Sequence, residues 1–317
     1  MKTVGIIGGS GFIGSYTTKK FLENGFKVKV SATDISKTKK YNHLKELPNA
    51  ENLEILPLNI ENKGQLKEFV KGCDIVVHGG TPFQLDVQDP KRDLFDPTIE
   101  GTKNFLEVIN ESPNIEKVVL IASVGAYNTN FPMPAGGKSP DDTFDEDDTP
   151  FMSEEGHPYA QAKFIANQTV EKFITEHPTS HFEITSVSPT GVMGKALSNR
   201  EDSTSSGLQF LIKNKIAPNP FIQMLYDVDV EWALVDVKDV ADGIYSASTK
   251  KGLHGKNYLL SSESWKISDI SAMLNGKKPI GNARIIYKND AARKDLGIEF
   301  NPVVIPLNDF NNWKNKS

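Results

Sequence analysis

Short apolar runs, each followed by an amphipathic stretch, recur through the first two thirds of the chain. Residues 2–7 form such a run. It breaks into Gly8-Gly9-Ser10-Gly11-Phe12-Ile13-Gly14 and resumes over 15–22 as an amphipathic stretch, which predicts strand, tight turn and helix. Residues 26–32 alternate like a half-buried strand, 53–58 form a third strand, 66–70 carry helical spacing, and 74–78 form a short buried strand. A helix is expected from about Arg92 to Asn110, with Ile99, Thr102, Phe105, Leu106 and Ile109 on one side. Residues 117–122 form another apolar strand, a helix is expected from about Pro158 to Glu176, and 182–187 give a sixth strand. Near-continuous apolar strands alternating with helices predict an α/β chain whose doubly wound parallel sheet is covered on both faces.

Two stretches depart from that rhythm. Residues 128–155 are rich in Pro, Gly and Asp and include an acidic run at 141–148. They read as a solvated loop that can also border an active site. Beyond Pro189 the alternation weakens, which suggests a smaller C-terminal lobe over 189–317, with 235–250 rejoining the sheet of the 1–188 unit.

Composition narrows the function. The 317 residues, 38% hydrophobic and 24% charged, suit a soluble globular protein. A net charge of −5 argues against a nucleic-acid partner, which needs a clustered basic face. No apolar stretch approaches the ~20 residues of a membrane span, and the glycines after residue 7 fit a first strand better than a signal peptide. Cys73 is the only cysteine, so no internal disulfide forms and a cytoplasmic location is consistent.

The glycine string carries the first chemistry. It fits G-x-G-x-x-G from Gly9 and G-x-x-G-x-x-G from Gly8, placed between strand and helix as a dinucleotide pyrophosphate site requires. Gly8, Gly11, Phe12, Ile13 and Gly14 are the expected contacts, since the N–H groups of the helix start attract phosphate. Tyr159 and Lys163, four residues apart, share one helix face. An ammonium there is expected to lower the phenol pKa, making Tyr159 a proton donor to a carbonyl oxygen near neutral pH. Ser123, at the end of the strand 117–122, is placed to hold that oxygen. His157, His177 and His181 have no metal-ligand spacing; His157, just before the Tyr159 helix, either lines the pocket or is a surface histidine.

In this order, glycine turn, strand-end serine and helical Tyr-x-x-x-Lys, the chain resembles the extended short-chain dehydrogenase/reductase family over nearly its whole length. Within it, the chain is most similar to the branch of dihydroflavonol, cinnamoyl-CoA and carbonyl reductases. The basic segment Lys39-Lys40-Tyr41-Asn42-His43-Leu44-Lys45-Glu46-Leu47-Pro48 carries that closer match. So do His78-Gly79-Gly80-Thr81-Pro82-Phe83, Glu100-Gly101-Thr102-Lys103-Asn104, the proline-led Ser188-Pro189-Thr190-Gly191-Val192-Met193-Gly194, and Val235-Asp236-Val237-Lys238-Asp239-Val240-Ala241.

The resemblance implies a Rossmann-type sheet with a C-terminal substrate lobe, and an NAD(P)-dependent reductase acting on a small or aromatic carbonyl compound. It implies Ser123, Tyr159 and Lys163 as the catalytic set, Lys163 also holding the ribose; the lone cysteine and the histidine spacing already lead to no metal being expected. It adds Gly79, Gly80, Thr81, Pro189, Gly191 and Val192 as cofactor contacts, and a possible homodimer. The branch favours NADP, but Thr33 stands where an arginine usually grips the 2′-phosphate. The following Asp34 argues for the ribose hydroxyls of NAD, and Lys37, Lys39 and Lys40 for a phosphate. Lys195 replaces the proline usual after Gly194. A sugar-nucleotide epimerase or dehydratase shares the catalytic set, but Val124-Gly125 and Val187-Ser188-Pro189-Thr190 lack the marks of either. A dinucleotide-binding protein without turnover would typically lose the tyrosine. Phe131, Met133, Phe151, Phe210, Phe221 and Met224 form either an apolar pocket or core.

Overall fold

The computed structural model describes residues 1–79, 89–199 and 203–314. The chain runs β1 (Thr3–Ile7), α1 (Phe12–Glu23), β2 (Lys27–Ala32), α2 (Asn42–Lys45), β3 (Leu53–Pro57), α3 (Lys63–Val70), β4 (Ile75–His78), α4 (Asp96–Asn110), β5 (Lys117–Ile121), α5 (Pro158–Glu176) and β6 (Glu183–Pro189). It continues through β7 (Gly191–Met193), α6 (Thr204–Asn214), α7 (Pro220–Val228), β8 (Glu231–Asp236), α8 (Val237–Thr249), β9 (Asn257–Leu260), β10 (Glu263–Lys266), α9 (Ile267–Leu274) and α10 (Val304–Lys314).

The large sheet is parallel, in the order β3-β2-β1-β4-β5-β6-β9. It is the Rossmann-type α/β architecture. β1 pairs with β2 through Val4–Val28 and with β4 through Val4–Ile75, so strand order reverses there, and ligands of such sheets bind past the carboxyl ends of the strands at that point.

Period-two alternation feeds two layers. Val4, Ile6, Ile75, Val77 and Val119 join Phe21 and Leu22 of α1 and Val240 and Ile244 of α8. Ile7, Val76, Val118 and Leu120 join Phe69 of α3, Phe105 and Leu106 of α4, and Val170 and Phe173 of α5. Each fully buried side chain of this size contributes about 1.5–3 kcal/mol.

The expected helix of 92–110 is α4, preceded by a wide helical turn over Lys91–Phe95. Residues 235–250 divide. Strand β8 joins β7 and β10 in a separate three-stranded sheet, and only α8 returns to cover the large one, against α1. The seventh strand of the large sheet is β9, a four-residue segment too short to stand out in the apolar pattern. The small sheet packs with α6, α7, α9 and α10 around Ile212, Leu225, Trp232, Ile270, Leu307 and Phe310.

The 128–155 stretch is irregular but not merely solvated. Its acids anchor it: Asp148 pairs with Lys138 at 2.8 Å, Asp145 with Lys288 at 3.2 Å, and Glu146 accepts the Leu259 N–H at 2.8 Å. Asp141, Asp142 and Asp147 are exposed. No helix among the described residues is long and apolar enough to cross a membrane.

Candidate active site

The turn after β1 is built from close backbone approach. Gly8 has φ +83°, and the Gly11 N–H donates to the Gly8 carbonyl at 3.0 Å. A Cβ on Gly14 would sit 2.1 Å from that carbonyl oxygen, and one on Gly9 would sit 2.8 Å from Val30 Cγ2. Ser31 Oγ accepts the Gly8 N–H at 3.0 Å and pins the turn to β2. The N-cap of α1 is Gly11; no side chain caps this end, and its first turn carries no acid. A cradle that only glycine fits, leading into an uncapped helix start, suits the pyrophosphate of a dinucleotide. Phe12, Ile13 and Gly14 form the first turn of α1 and would hold that group through their backbone.

The other expected contacts that the structure describes follow β4 and β6. The Gly79 N–H donates to the Ile7 carbonyl at 3.0 Å, just past β4. Gly80 and Thr81 lie outside the described residues. Pro189 ends β6, while Gly191 and Val192 belong to β7, where Val192 is buried and offers only backbone. The loop is clamped at Gly194, whose N–H and carbonyl both bond the Gln209 amide at 3.0 Å. The Tyr16 hydroxyl of α1 donates to the Lys195 carbonyl at 3.0 Å, tying the phosphate-turn helix to this loop.

Thr33 and Lys39 are exposed beyond β2. Asp34 is committed to its own turn: Oδ1 accepts the Ser36 N–H at 3.0 Å and the Ser36 hydroxyl at 2.5 Å, and Oδ2 faces Lys37 at 3.5 Å. These Ser36 bonds hold its carboxyl below the usual range. The Ser36 bonds both fall on Oδ1, so Oδ2 keeps acceptor capacity and Asp34 by itself does not exclude a ribose hydroxyl.

Ser123 follows β5 and begins a short helical turn, Val124–Ala126, where its Oγ accepts the Gly125 N–H at 3.2 Å. An Oγ that accepts this amide keeps its own O–H for donation to a substrate oxygen. A Cβ on Gly125 would lie 3.2 Å from Ala160 Cα, so this turn rests against α5 beside Tyr159. Lys163 is buried on the next turn. Its ammonium donates to the Ile121 carbonyl at 3.2 Å and lies 5.8 Å from the Tyr159 ring centre. The structure thus gathers Ser123, Tyr159 and Lys163 between the end of β5 and the start of α5.

The electrostatics differ from expectation. The ammonium does not lower the Tyr159 pKa; burial raises it, and burial pulls Lys163 down to about 8. Desolvation outweighs the charge pair because both groups sit in the same water-poor site. A neutral phenol at neutral pH still suits proton donation.

Two features escape a sequence reading. His157 Nδ1 accepts the Tyr159 N–H at 3.2 Å and caps α5. His78, at the end of β4, meets Phe105 edge-on at 4.5 Å and is held near pKa 4, chiefly by burial. It lines a cavity of about 40 Å³ with Lys163, Thr102, Asn167 and Ser186. The spacing of His157, two residues before Tyr159 and directly before a proline, was the available signal for the cap.

Of the expected pocket residues, Phe131, Met133, Phe221 and Met224 pack partly buried against the small-sheet core, and Phe151 against the 124–144 cluster. Phe210 is 46% exposed. No metal-binding cluster of His, Cys, Asp or Glu occurs among the described residues.

A model of the NAD dependent epimerase/dehydratase family matches residues 4–261. Cinnamoyl-CoA reductase of Medicago truncatula is 27% identical, over 96% of this chain and 93% of its own. Dihydroflavonol 4-reductase of Hordeum vulgare is 27% identical, over 86% of this chain and 74% of its own. The yeast methylglyoxal/isovaleraldehyde reductase, solved with NADPH, superposes with a TM-score of 0.80 at 23% identity, over 99% of this chain and 98% of that one. A UDP-glucose-4-epimerase of Stenotrophomonas maltophila with bound NAD gives 0.76 at 14% identity, over 100% and 98%. Likenesses at that identity establish the shared fold.

Proposed function

The chain belongs to the NAD dependent epimerase/dehydratase family, and on that premise we propose that it is an NADP(H)-dependent carbonyl reductase, with Tyr159 as proton donor. The observation that carries this reading is the cluster of Ser123, Tyr159 and Lys163 at the carboxyl edge of a sheet whose first turn is a glycine cradle. The curated relatives named above, both reductases, support it.

A bound dinucleotide would rest on Gly8–Gly14, Gly79 and the Pro189–Val192 loop and supply the hydride. The Ser123 hydroxyl donates to the substrate oxygen and fixes it. The Tyr159 hydroxyl gives its proton to that oxygen as negative charge develops there, so the carbonyl becomes an alcohol and Tyr159 becomes phenolate. The Lys163 ammonium stabilises the phenolate and would hold the ribose. The raised phenol pKa keeps the proton on Tyr159 at neutral pH, where it can be donated. Lys37, Lys39 and Lys40 follow β2 closely and can meet a 2′-phosphate, which supports NADPH over NADH. The 189–317 lobe would close over the substrate. A homodimer and a cytoplasmic location complete the proposal.

A panel of aldehydes and ketones, followed at 340 nm with NADPH and NADH in parallel, tests it. Net oxidation of NADPH with alcohol formation is expected. Oxidised cofactor retained through purification without net turnover would instead favour an epimerase.

A further inference from the structure

Helix α5 begins with an unusual cap. Ser, Thr, Asp and Asn are the usual N-cap side chains, because an oxygen accepts a first-turn N–H. Here the cap is His157. The following Pro158 bars the helical conformation at 157 and leaves it at φ −57°, ψ 133°, the extended geometry of a cap. The His157 carbonyl accepts the N–H of Ala160 at 2.8 Å and of Gln161 at 3.2 Å, while Nδ1 accepts the Tyr159 N–H at 3.2 Å. The Gln161 amide binds back to the carbonyls of Ser153, Glu154 and Gly156, each at 3.0 Å. The loop, the cap and the tyrosine therefore form one hydrogen-bonded corner.

A nitrogen that accepts cannot carry a proton, so the neutral ring must bear its hydrogen on Nε2. When Nδ1 takes a proton from solvent, two N–H donors face each other and the bond to Tyr159 is lost. An imidazolium at the positive end of α5 is unfavourable as well. We propose that His157 is a positioning residue: its imidazole fixes the backbone that carries Tyr159, and its protonation releases that backbone and slows proton donation.

Burial holds the imidazole below its ordinary pKa, which keeps the cap intact at neutral pH. The charged groups of the adjoining elements do not oppose this. Glu154 and Glu155 on the preceding turn are exposed, Lys163 lies one turn further along α5 bonded to the Ile121 carbonyl, and Asp227 of α7 accepts from Gln223 at 2.8 Å. The ring itself lies against Phe221 of α7, 6.1 Å between centres, an apolar neighbour.

The proposal rests on Tyr159 as the proton donor, so the test has one arm that needs no turnover. In ¹⁵N-labelled full-length protein, the histidine signal missing from His157→Asn should show hydrogen on Nε2 at pH 8 and titrate below 6.5. Hydrogen on Nδ1, or titration at or above 6.5, overturns the cap whatever the enzyme does. In the kinetic arm, with the best carbonyl of the panel, His157→Ala should lower kcat about tenfold, with KM for NADPH within about twofold. Asparagine can cap, so His157→Asn should recover kcat to within about threefold and lose the wild-type fall in rate at acid pH. An asparagine variant as slow as the alanine variant, or an alanine variant as fast as wild type, rules out the positioning role. If Tyr159→Phe retains activity, the donor assignment fails while the ¹⁵N result still decides the cap.

Discussion

Helices α1 and α5 both start at the carboxyl edge of the large sheet, one after β1 and the other against the turn after β5, and their amino ends are finished differently. The end of α1 is made of glycines and has no side-chain cap. The end of α5 is closed from within by an imidazole and a proline, and the Gln161 amide donates to the carbonyls of the loop before it. Both ends carry roughly half a positive charge and unsatisfied N–H groups. Where the chain supplies no partner, an external anion can. Where it supplies one, the end becomes a rigid mount for the side chain that follows.

The largest effect should come from the mounted residue. Tyr159→Phe should cut turnover about 10²–10⁴-fold while the dinucleotide Kd stays within about twofold, checked by steady-state rates and cofactor fluorescence titration. A comparable loss of dinucleotide affinity would erase the division between the two ends.

Filling the bare end should do the reverse. Gly11 has ordinary extended angles, but its built Cβ is 3.3 Å from the Gly8 carbonyl, so Gly11→Asp requires that turn to give by a few tenths of an ångström. Its carboxylate would cap α1 and repel phosphate, weakening dinucleotide binding about 10–100-fold, while the melting temperature reads the net of the new cap and the close contact.

The charge behind Tyr159 gives a third effect. Lys163 is held near 8, so the ammonium is present below that pH and lost above it. Reductive kcat/KM should fall up to about tenfold per pH unit on the alkaline side of 8, a limb that Lys163→Arg moves upward.

A third helix start sharpens the contrast by stability alone. Asp236 caps α8 by accepting the Lys238 N–H at 2.9 Å, and Asp239, one turn on, accepts Asn301 N at 2.7 Å and Nδ2 at 2.8 Å. Burial still pushes Asp239 up to about 7. Its folded pKa exceeds the unfolded one, so the folded state binds the proton more tightly. Its contribution to stability is therefore full below about pH 4 and is lost as pH rises to about 7, at no more than about 1.4 kcal/mol per pH unit. Asp239→Asn should flatten that decline in urea titrations. The smallest effect is expected at Lys37→Glu, which should lower the NADPH over NADH preference a few-fold.

Legibility followed the reach of each signal. The β1–α1 turn and helix 158–176 were readable because glycine spacing, proline position and alternation are local. The Tyr159 pKa was not: i,i+4 spacing shows the ammonium but not the desolvation that overrides it. Nor was the capping role of His157, which depends on which ring nitrogen faces the helix. The second sheet was hidden because three-residue β7 has no period to read and its pairing with β8 spans some 40 residues.

The order in which the large sheet is completed has a consequence for synthesis. Phe21 and Leu22 are buried with α8, and β6 is paired by β9, so both wait on chain beyond residue 236. A ribosome-bound fragment ending near residue 190 would expose that apolar face to every chaperone in reach, and the nucleotide-binding half should not be separable as a stable product by truncation there.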